Sequence, residues 1–268
     1  MTYNLLDLFS GIGGFSLGLE RSGAFKTVAF CEIEPYCQKV LAKHWPQVKI
    51  YDDVRTITAD RLAADGIAVD AICGGFPCQD ISCAGKGAGL EGERSGLWFE
   101  YARIIGELRP RYVIVENVAA LLSRGLDRVL GTLASLGYDA EWHCIPASAI
   151  GAPHKRDRVW IVADTNSKRQ LQSKRVVSDE RRWASNCCKN VSHTLRSGLE
   201  GHRNCTIGIE KALASFSGSC WWNIEPDVGR VANGVPARSH RLRALGNAVV
   251  PQIPELIGRA IAAREAAL

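Results

Sequence analysis

At 268 residues the chain can bury a sizeable core, as one large domain or one domain with a small companion. Its 46% apolar and 23% charged residues and net charge of +5 are ordinary for a globular protein, and no run approaches the apolar length that crosses a bilayer. The N-terminus, MTYNLLDLFSG, lacks a basic n-region and cleavage site, so the ten cysteines are expected to be free thiols in a reducing, cytoplasmic setting, with Cys31, Cys73 and Cys144 buried in strand-like runs.

From residue 1 to 163, strand-like and helix-like segments alternate. YNLLDLF (3–9), TVAFCEI (27–33), VDAICGGF (69–76), RYVIVENV (111–118) and RVWIVAD (158–164) read as strands. EYARIIGEL (100–108) places Tyr101, Ile104, Ile105 and Leu108 on one helical face, and Pro110 stops it. Leu126, Val129, Leu130, Leu133 and Leu136 form a second such face, ending at Gly137. This alternation predicts an α/β fold with a largely parallel sheet and helices on both faces.

From 164 to 231 the periodicity dissolves. Residues 165–205 hold nine Lys or Arg against three acids, so the rest of the chain is close to neutral. This segment reads either as a contact surface for a polyanion or as a solvated insert. Cys187, Cys188, His193, His202 and Cys205 lie here, but adjacent cysteines suit a zinc site poorly, and no metal is expected. Residues 232–268 return to order: LRALGNAVVPQIPELIGRAIAA predicts a glycine turn, then a helix with Ile253, Leu256, Ile257 and Ile261 on one face. That helix is expected to pack back onto the first segment, making the middle an insertion.

Chemistry-bearing residues collect at the strand ends. DLFSGIGGF carries Gly11, Gly13 and Gly14 in a turn fit to approach a nucleotide-like ligand or to serve as a plain structural turn. Glu32, about twenty residues on, stands where an acid can bond ribose hydroxyls. GGFPCQDIS places Cys78 just past a strand, where a thiol is either an accessible nucleophile or a small packing group. The glycine-rich CAGKGAGLEGERSG (83–96) could close over a substrate or be a linker. Glu116 of ENV ends another strand and can act as acid, base or hydrogen-bond partner, or be a surface acid. Arg156 and Arg158 alternate onto one face entering a strand, which suits a phosphate, a polar base edge or a salt-bridged rim.

In this order, DLFSGIGGF, PCQDIS, ENV, RDR and LGNAVVPQ closely resemble the ordered motifs of the DNA cytosine-5 methyltransferases. The resemblance covers about residues 1–163 and 229–263 and leaves the basic middle unmatched. It implies a Rossmann-like, S-adenosylmethionine-dependent fold with a small, mostly irregular target-recognition insertion at 164–231. It assigns Cys78 to attack C6 of a flipped-out cytosine, Glu116 to contact N3 and the exocyclic amine, and Arg158 with Arg156 to hold the base and its flanking phosphate. For the cofactor it implies Phe9 near the adenine, Gly11 and Gly13 beside the methionine moiety, Glu32 on the ribose and Asp53 on the adenine amine. Pro77, Leu97, Asn247 and Val249 complete that pocket. The implied partner is double-stranded DNA, met by a monomer, with a cognate restriction endonuclease possible.

Three positions depart from the family pattern. Ile33 stands where an aromatic usually follows the ribose-binding acid, His154 replaces a glutamine ahead of the two arginines, and the recognition region is short. The alternatives are a tRNA cytosine-5 methyltransferase on the same fold, a non-catalytic DNA-binding relative that retains it, and a small-molecule methyltransferase. The basic insert serves DNA or tRNA equally; binding alone needs no thiol; a small substrate would need neither insert nor glycine-rich loop.

Overall fold

The computed structural model describes residues 2–77, 96–165 and 238–267. Strands β1 (Tyr3–Leu8), β2 (Phe25–Cys31), β3 (Lys49–Tyr51), β4 (Ala71–Gly74) and β5 (Tyr112–Val118) pair in parallel. β6 (Asp139–Pro146) and β7 (Asp157–Asp164) form an antiparallel pair, and β7 lies antiparallel to β5. Among the described residues they make one seven-stranded sheet in the order β3-β2-β1-β4-β5-β7-β6.

The apolar runs follow from burial on both faces. Leu6, Leu8, Ile72, Val113 and Val115 enter one core, while their neighbours Leu5, Ala71, Cys73 and Ile114 enter the other. A strand covered on both sides is apolar at every position rather than at alternate ones.

The helices are α1 (Gly14–Arg21), α2 (Pro35–His44), α3 (Ala59–Ala64), α4 (Leu97–Leu108), α5 (Leu121–Arg124), α6 (Leu126–Ser135), α7 (Arg238–Asn247) and α8 (Gln252–Ala266). The first core is closed by side chains of α3 to α6, including Leu62, Trp98, Leu121 and Val129. The second is closed by Phe15 and Leu19 of α1 and Ile253, Ile257 and Ile261 of α8. Helices α1 and α8 touch so closely at Gly18 that a Cβ there would overlap the carbonyl of Pro251. The last helix thus packs on the first.

Some expectations need correction. The predicted glycine turn at LGN is the last turn of α7; Gly246 sits inside the helix, and the irregular stretch falls at 248–250. Arg, Leu and Ala upstream favour helix, and Pro251 comes too late to stop it earlier. Cys144 is exposed on β6, the sheet edge, whereas Cys31 and Cys73 are buried and free. The Cys187, Cys188, His193, His202 and Cys205 group and nearly all of the basic insertion lie outside the described residues. Among the described residues no helix is long and apolar enough to cross a membrane, and no group of metal-ligating side chains gathers.

Candidate active site

The strand order reverses direction between β1 and β4, so the crevice beyond their carboxyl ends is where an open α/β sheet binds ligands. Two segments meet there: the turn after β1 and the chain leaving β4.

The first begins at Phe9 and Gly11, with φ of 55° and 54°, and ends at Gly13 with φ of 82°. At Gly13 conformation and space both require glycine, because a Cβ would lie 2.6 Å from the Trp45 ring. At Gly11 a Cβ would meet nothing within 4 Å among the described residues, so that side of the turn is open to them. Ser10 Oγ donates to the Asp7 carbonyl at 2.6 Å and ties the turn to β1.

Glu32, just past β2, accepts from the Gly11 amide through Oε2 at 2.6 Å and from the Glu34 amide through Oε1 at 2.8 Å. In a phosphate-binding turn, amides of this kind point at the anion. Here a carboxylate already occupies one, so the turn repels phosphate and suits a neutral nucleoside or a cation. Asp53 accepts from Arg55 Nε at 3.0 Å and Nη2 at 2.8 Å, and Arg55 holds its carboxyl below the usual range. Ile33 is 70% exposed, an apolar side chain left on the rim.

Phe9 packs toward Tyr101, with ring centroids 6.3 Å apart, and Leu97 is partly buried against the same core. The carbonyl of Val249 lies 2.7 Å from where a Cβ on Gly14 would stand, so the strip after α7 covers the start of α1. Asn247, at the end of α7, is exposed.

The second segment leaves β4 through Gly74 and Gly75. A Cβ on Gly75 would stand 2.8 Å from Glu116 Oε2, so this backbone passes directly against the carboxylate. Phe76 is buried, its ring 5.3 Å from that of Trp98 at the start of α4. Its carbonyl accepts from Asn117 Nδ2 at 3.2 Å. Pro77 is the last described residue of this segment; Cys78 and the glycine-rich stretch up to residue 95 lie outside the described residues.

Glu116 pairs diagonally with Arg158 across β5 and β7, two positions from its register partner Trp160, Oε1 to Nε at 2.9 Å, with side chains only 13% and 22% exposed. Burial pushes the Glu116 carboxyl above its ordinary range, against the opposing pull of Arg158 and Arg156. Such a carboxyl holds a proton more readily than a surface glutamate and can give it to a ring nitrogen. Cys31 and Cys73 show the contrast: burial pushes the first up to about 12 and the second well above a free thiol, so both are packing groups.

Arg156 does not share the strand alternation expected of it with Arg158. It precedes β7 with φ of 39°, which breaks the strand alternation that would align it with Arg158. Its Nη1 donates to the Gly246 carbonyl at 2.8 Å and its Nη2 to that of Ala248 at 2.7 Å. Asn117 was missed by the sequence reading; its place beside Glu116 in ENV was the available signal.

A largely parallel sheet, with an acid-capped glycine turn at its switch point and a buried Glu–Arg pair on the neighbouring strands, defines an α/β protein of the Rossmann-like class. The profile of the C-5 cytosine-specific DNA methylases matches residues 3–218, and the chain belongs to that family. It is 36% identical over 167 residues to a Bacillus subtilis protein named type II methyltransferase M2.BsuMI, covering 59% of this chain and 41% of that one. It is 35% identical over 227 residues to a Neisseria lactamica protein named type II methyltransferase M.NlaIV, covering 79% and 50%. A solved structure of a candidate DNA modification methyltransferase from an E. coli prophage superposes with a TM-score of 0.54 at 26% identity, over 63% of this chain and 48% of that one. The chain spans about half or less of the length of these curated relatives.

Proposed function

We propose that the protein transfers a methyl group from S-adenosylmethionine to C5 of a cytosine flipped out of double-stranded DNA. One observation carries the reading: the chain entering Cys78 is fixed against a buried Glu116–Arg158 pair, at the same crevice as an acid-capped glycine turn.

The residues of the turn suit this cofactor. The open side of Gly11 leaves room for the methionine moiety, Glu32 and Asp53 offer acceptors for ribose and adenine, and Phe9, Ile33, Pro77, Leu97, Asn247 and Val249 complete the pocket. The carboxylates also favour a sulfonium cation over a phosphate. When bound, S-adenosylmethionine supplies an electrophilic methyl group.

The chain's own residues must make C5 nucleophilic. The Cys78 thiolate adds to C6, breaking aromaticity and placing enamine character at C5. Negative charge develops on the ring as the new C–S bond forms; Glu116, with its raised affinity for a proton, hydrogen-bonds N3 and the exocyclic amine and offsets it. Arg158 orients Glu116 and contacts the base. After methylation a base removes the C5 proton, and elimination restores the ring and frees the thiolate. A base within a stack cannot offer C6 to a thiol, so the target must be extruded.

Residues 164–231 are read as the recognition region, 232–268 as the segment completing the catalytic domain, and the working unit as a monomer. The type II naming of the relatives makes a cognate restriction endonuclease the expected companion. The test is a pool of duplexes carrying 5-fluorocytosine, incubated with S-adenosylmethionine and either wild type or Cys78→Ala. Fluorine blocks the last elimination, so wild type is expected to give a denaturant-stable adduct and Cys78→Ala none. An adduct only with similarly substituted tRNA would move the substrate to RNA; none with either would overturn the reading.

A further inference from the structure

Arg156 binds two backbone carbonyls that flank a single residue. Gly246 and Ala248 lie on either side of Asn247, at the carboxyl end of α7. The last carbonyls of a helix have no partners within it and carry partial negative charge. The last turn of α7 has no basic residue of its own, and Arg156 supplies the cation from 90 residues earlier.

Both ends of this clamp lead to the candidate site. One residue beyond Ala248, the carbonyl of Val249 covers Gly14 at the start of α1. Two residues beyond Arg156, Arg158 holds Glu116 at 2.9 Å. The backbone of Arg156 adopts φ of 39°, a conformation that a non-glycine residue keeps only where its surroundings impose it. A guanidinium committed to two carbonyls at 2.7 and 2.8 Å is poorly placed to hold a phosphate as well.

We infer that Arg156 is a positioning residue: it clamps the Asn247 turn to the start of β7, so that the cofactor pocket and the base-holding pair are set by one tie. The inference rests on the function proposed above and departs from the role of base or phosphate holder. It predicts that losing Arg156 weakens cofactor binding in the absence of DNA. It also predicts that the number of phosphate contacts stays the same.

The experiment uses the full chain with Arg156→Met and Arg156→Lys, the second able to meet one carbonyl at a time. Calorimetry with S-adenosylmethionine alone is expected to show binding weakened about tenfold in Arg156→Met, the scale of a lost charged hydrogen bond, and less in Arg156→Lys. The slope of log DNA affinity against log salt is expected to equal that of wild type. A slope shallower by about 0.9 with unchanged cofactor affinity would identify a phosphate contact and overturn the inference. Amide hydrogen exchange of residues 246–250 is read in parallel and is expected to quicken in Arg156→Lys, the variant that decides if Arg156→Met does not fold. Unchanged exchange there overturns the clamp. Wild type that binds no cofactor and traps no cytosine would instead defeat the function proposed above, and the exchange measurement would still decide the clamp.

Discussion

Asn117 Nδ2 donates to the carbonyl of Phe76 at 3.2 Å, and both residues are buried. The same side chain accepts from the Val118 amide at 2.8 Å, so it is fixed at both ends. The backbone entering Cys78 is thus held by a side chain adjacent to Glu116. Replacing Asn117 by Ala leaves a buried carbonyl without its donor, at a cost of about 1–3 kcal/mol. We predict a lowered melting temperature and a kcat reduced roughly tenfold or more, with cofactor affinity measured by calorimetry nearly unchanged. Equal losses in kcat and cofactor affinity would mean that Asn117 supports the whole crevice rather than the approach to Cys78.

Gly74 and Gly75 are neighbours with different duties. A Cβ on Gly74 would overlap the backbone carbonyl of Leu8, which cannot move without distorting β1. A Cβ on Gly75 meets instead the far end of a side chain, Glu116 Oε2 at 2.8 Å. Gly74→Ala is therefore expected to destabilise by about 1–3 kcal/mol, as overpacking does. Gly75→Ala is expected to keep its melting temperature yet lose on the order of 100-fold in kcat, because Glu116 is displaced from Arg158. Thermal melts and single-turnover rates on the same preparations separate the two.

The contact between α1 and α8 makes a third prediction. Gly18→Ala must separate the helices, since the Pro251 carbonyl already occupies the space a methyl needs. Ile253, Ile257 and Ile261 would lose packing against Phe15 and Leu19. Chemical denaturation is expected to show a loss of about 2–4 kcal/mol, with proteolysis beginning within α8. A loss below about 0.5 kcal/mol would show that the helices can slide apart freely.

Asp7 supplies a pH signature. It is fully buried beneath the glycine turn, takes a bond from Ser16 Oγ at 2.7 Å, and burial raises its pKa from 3.8 to about 7. A raised carboxyl pKa means the folded state binds the proton more tightly than the unfolded one. Its contribution is most favourable below about pH 4 and is lost progressively as pH rises to about 7. Asp7→Asn removes that dependence. Relative to wild type it should gain on the order of a few kcal/mol between pH 4 and pH 8, read from urea midpoints at both limits. A constant difference across that range would show that Asp7 does not titrate there.

The central strands were legible because β1, β4, β5 and most of β2 and β7 are buried on both faces, which leaves a largely apolar mark in the sequence. β3 has three residues, too few to show a period, and β6 is largely exposed at the sheet edge, so its mixed DAEWHCIP carries little pattern. The antiparallel course of β7 was not read, because direction is set by the connection before a strand and not by its composition. Glu116 and Arg158 were singled out separately, at the end of one strand and the start of another, and the resemblance named both; their ion pair was not read. The alternation expected of Arg156 with Arg158 does not extend to it, because alternation presumes extended backbone and its positive φ lies outside that assumption. The acid cap on Gly11 was out of reach for a related reason: a side chain meeting a backbone amide across 21 residues leaves no local signature.

The union of α1 with α8 also bears on how the chain is made. Residues 18 and 251 meet in space, yet nearly the whole sequence is synthesised between them. A nascent chain emerging from the ribosome therefore carries Phe15, Leu19 and the adjoining strand face uncovered until α8 appears. Lengthening the intervening stretch adds little to the entropy of closure, about 0.6 kcal/mol per doubling, so that stretch can vary in size at small thermodynamic expense. Its expense is in time: the longer the middle, the longer an apolar surface waits for its lid and depends on chaperones to keep it from other chains.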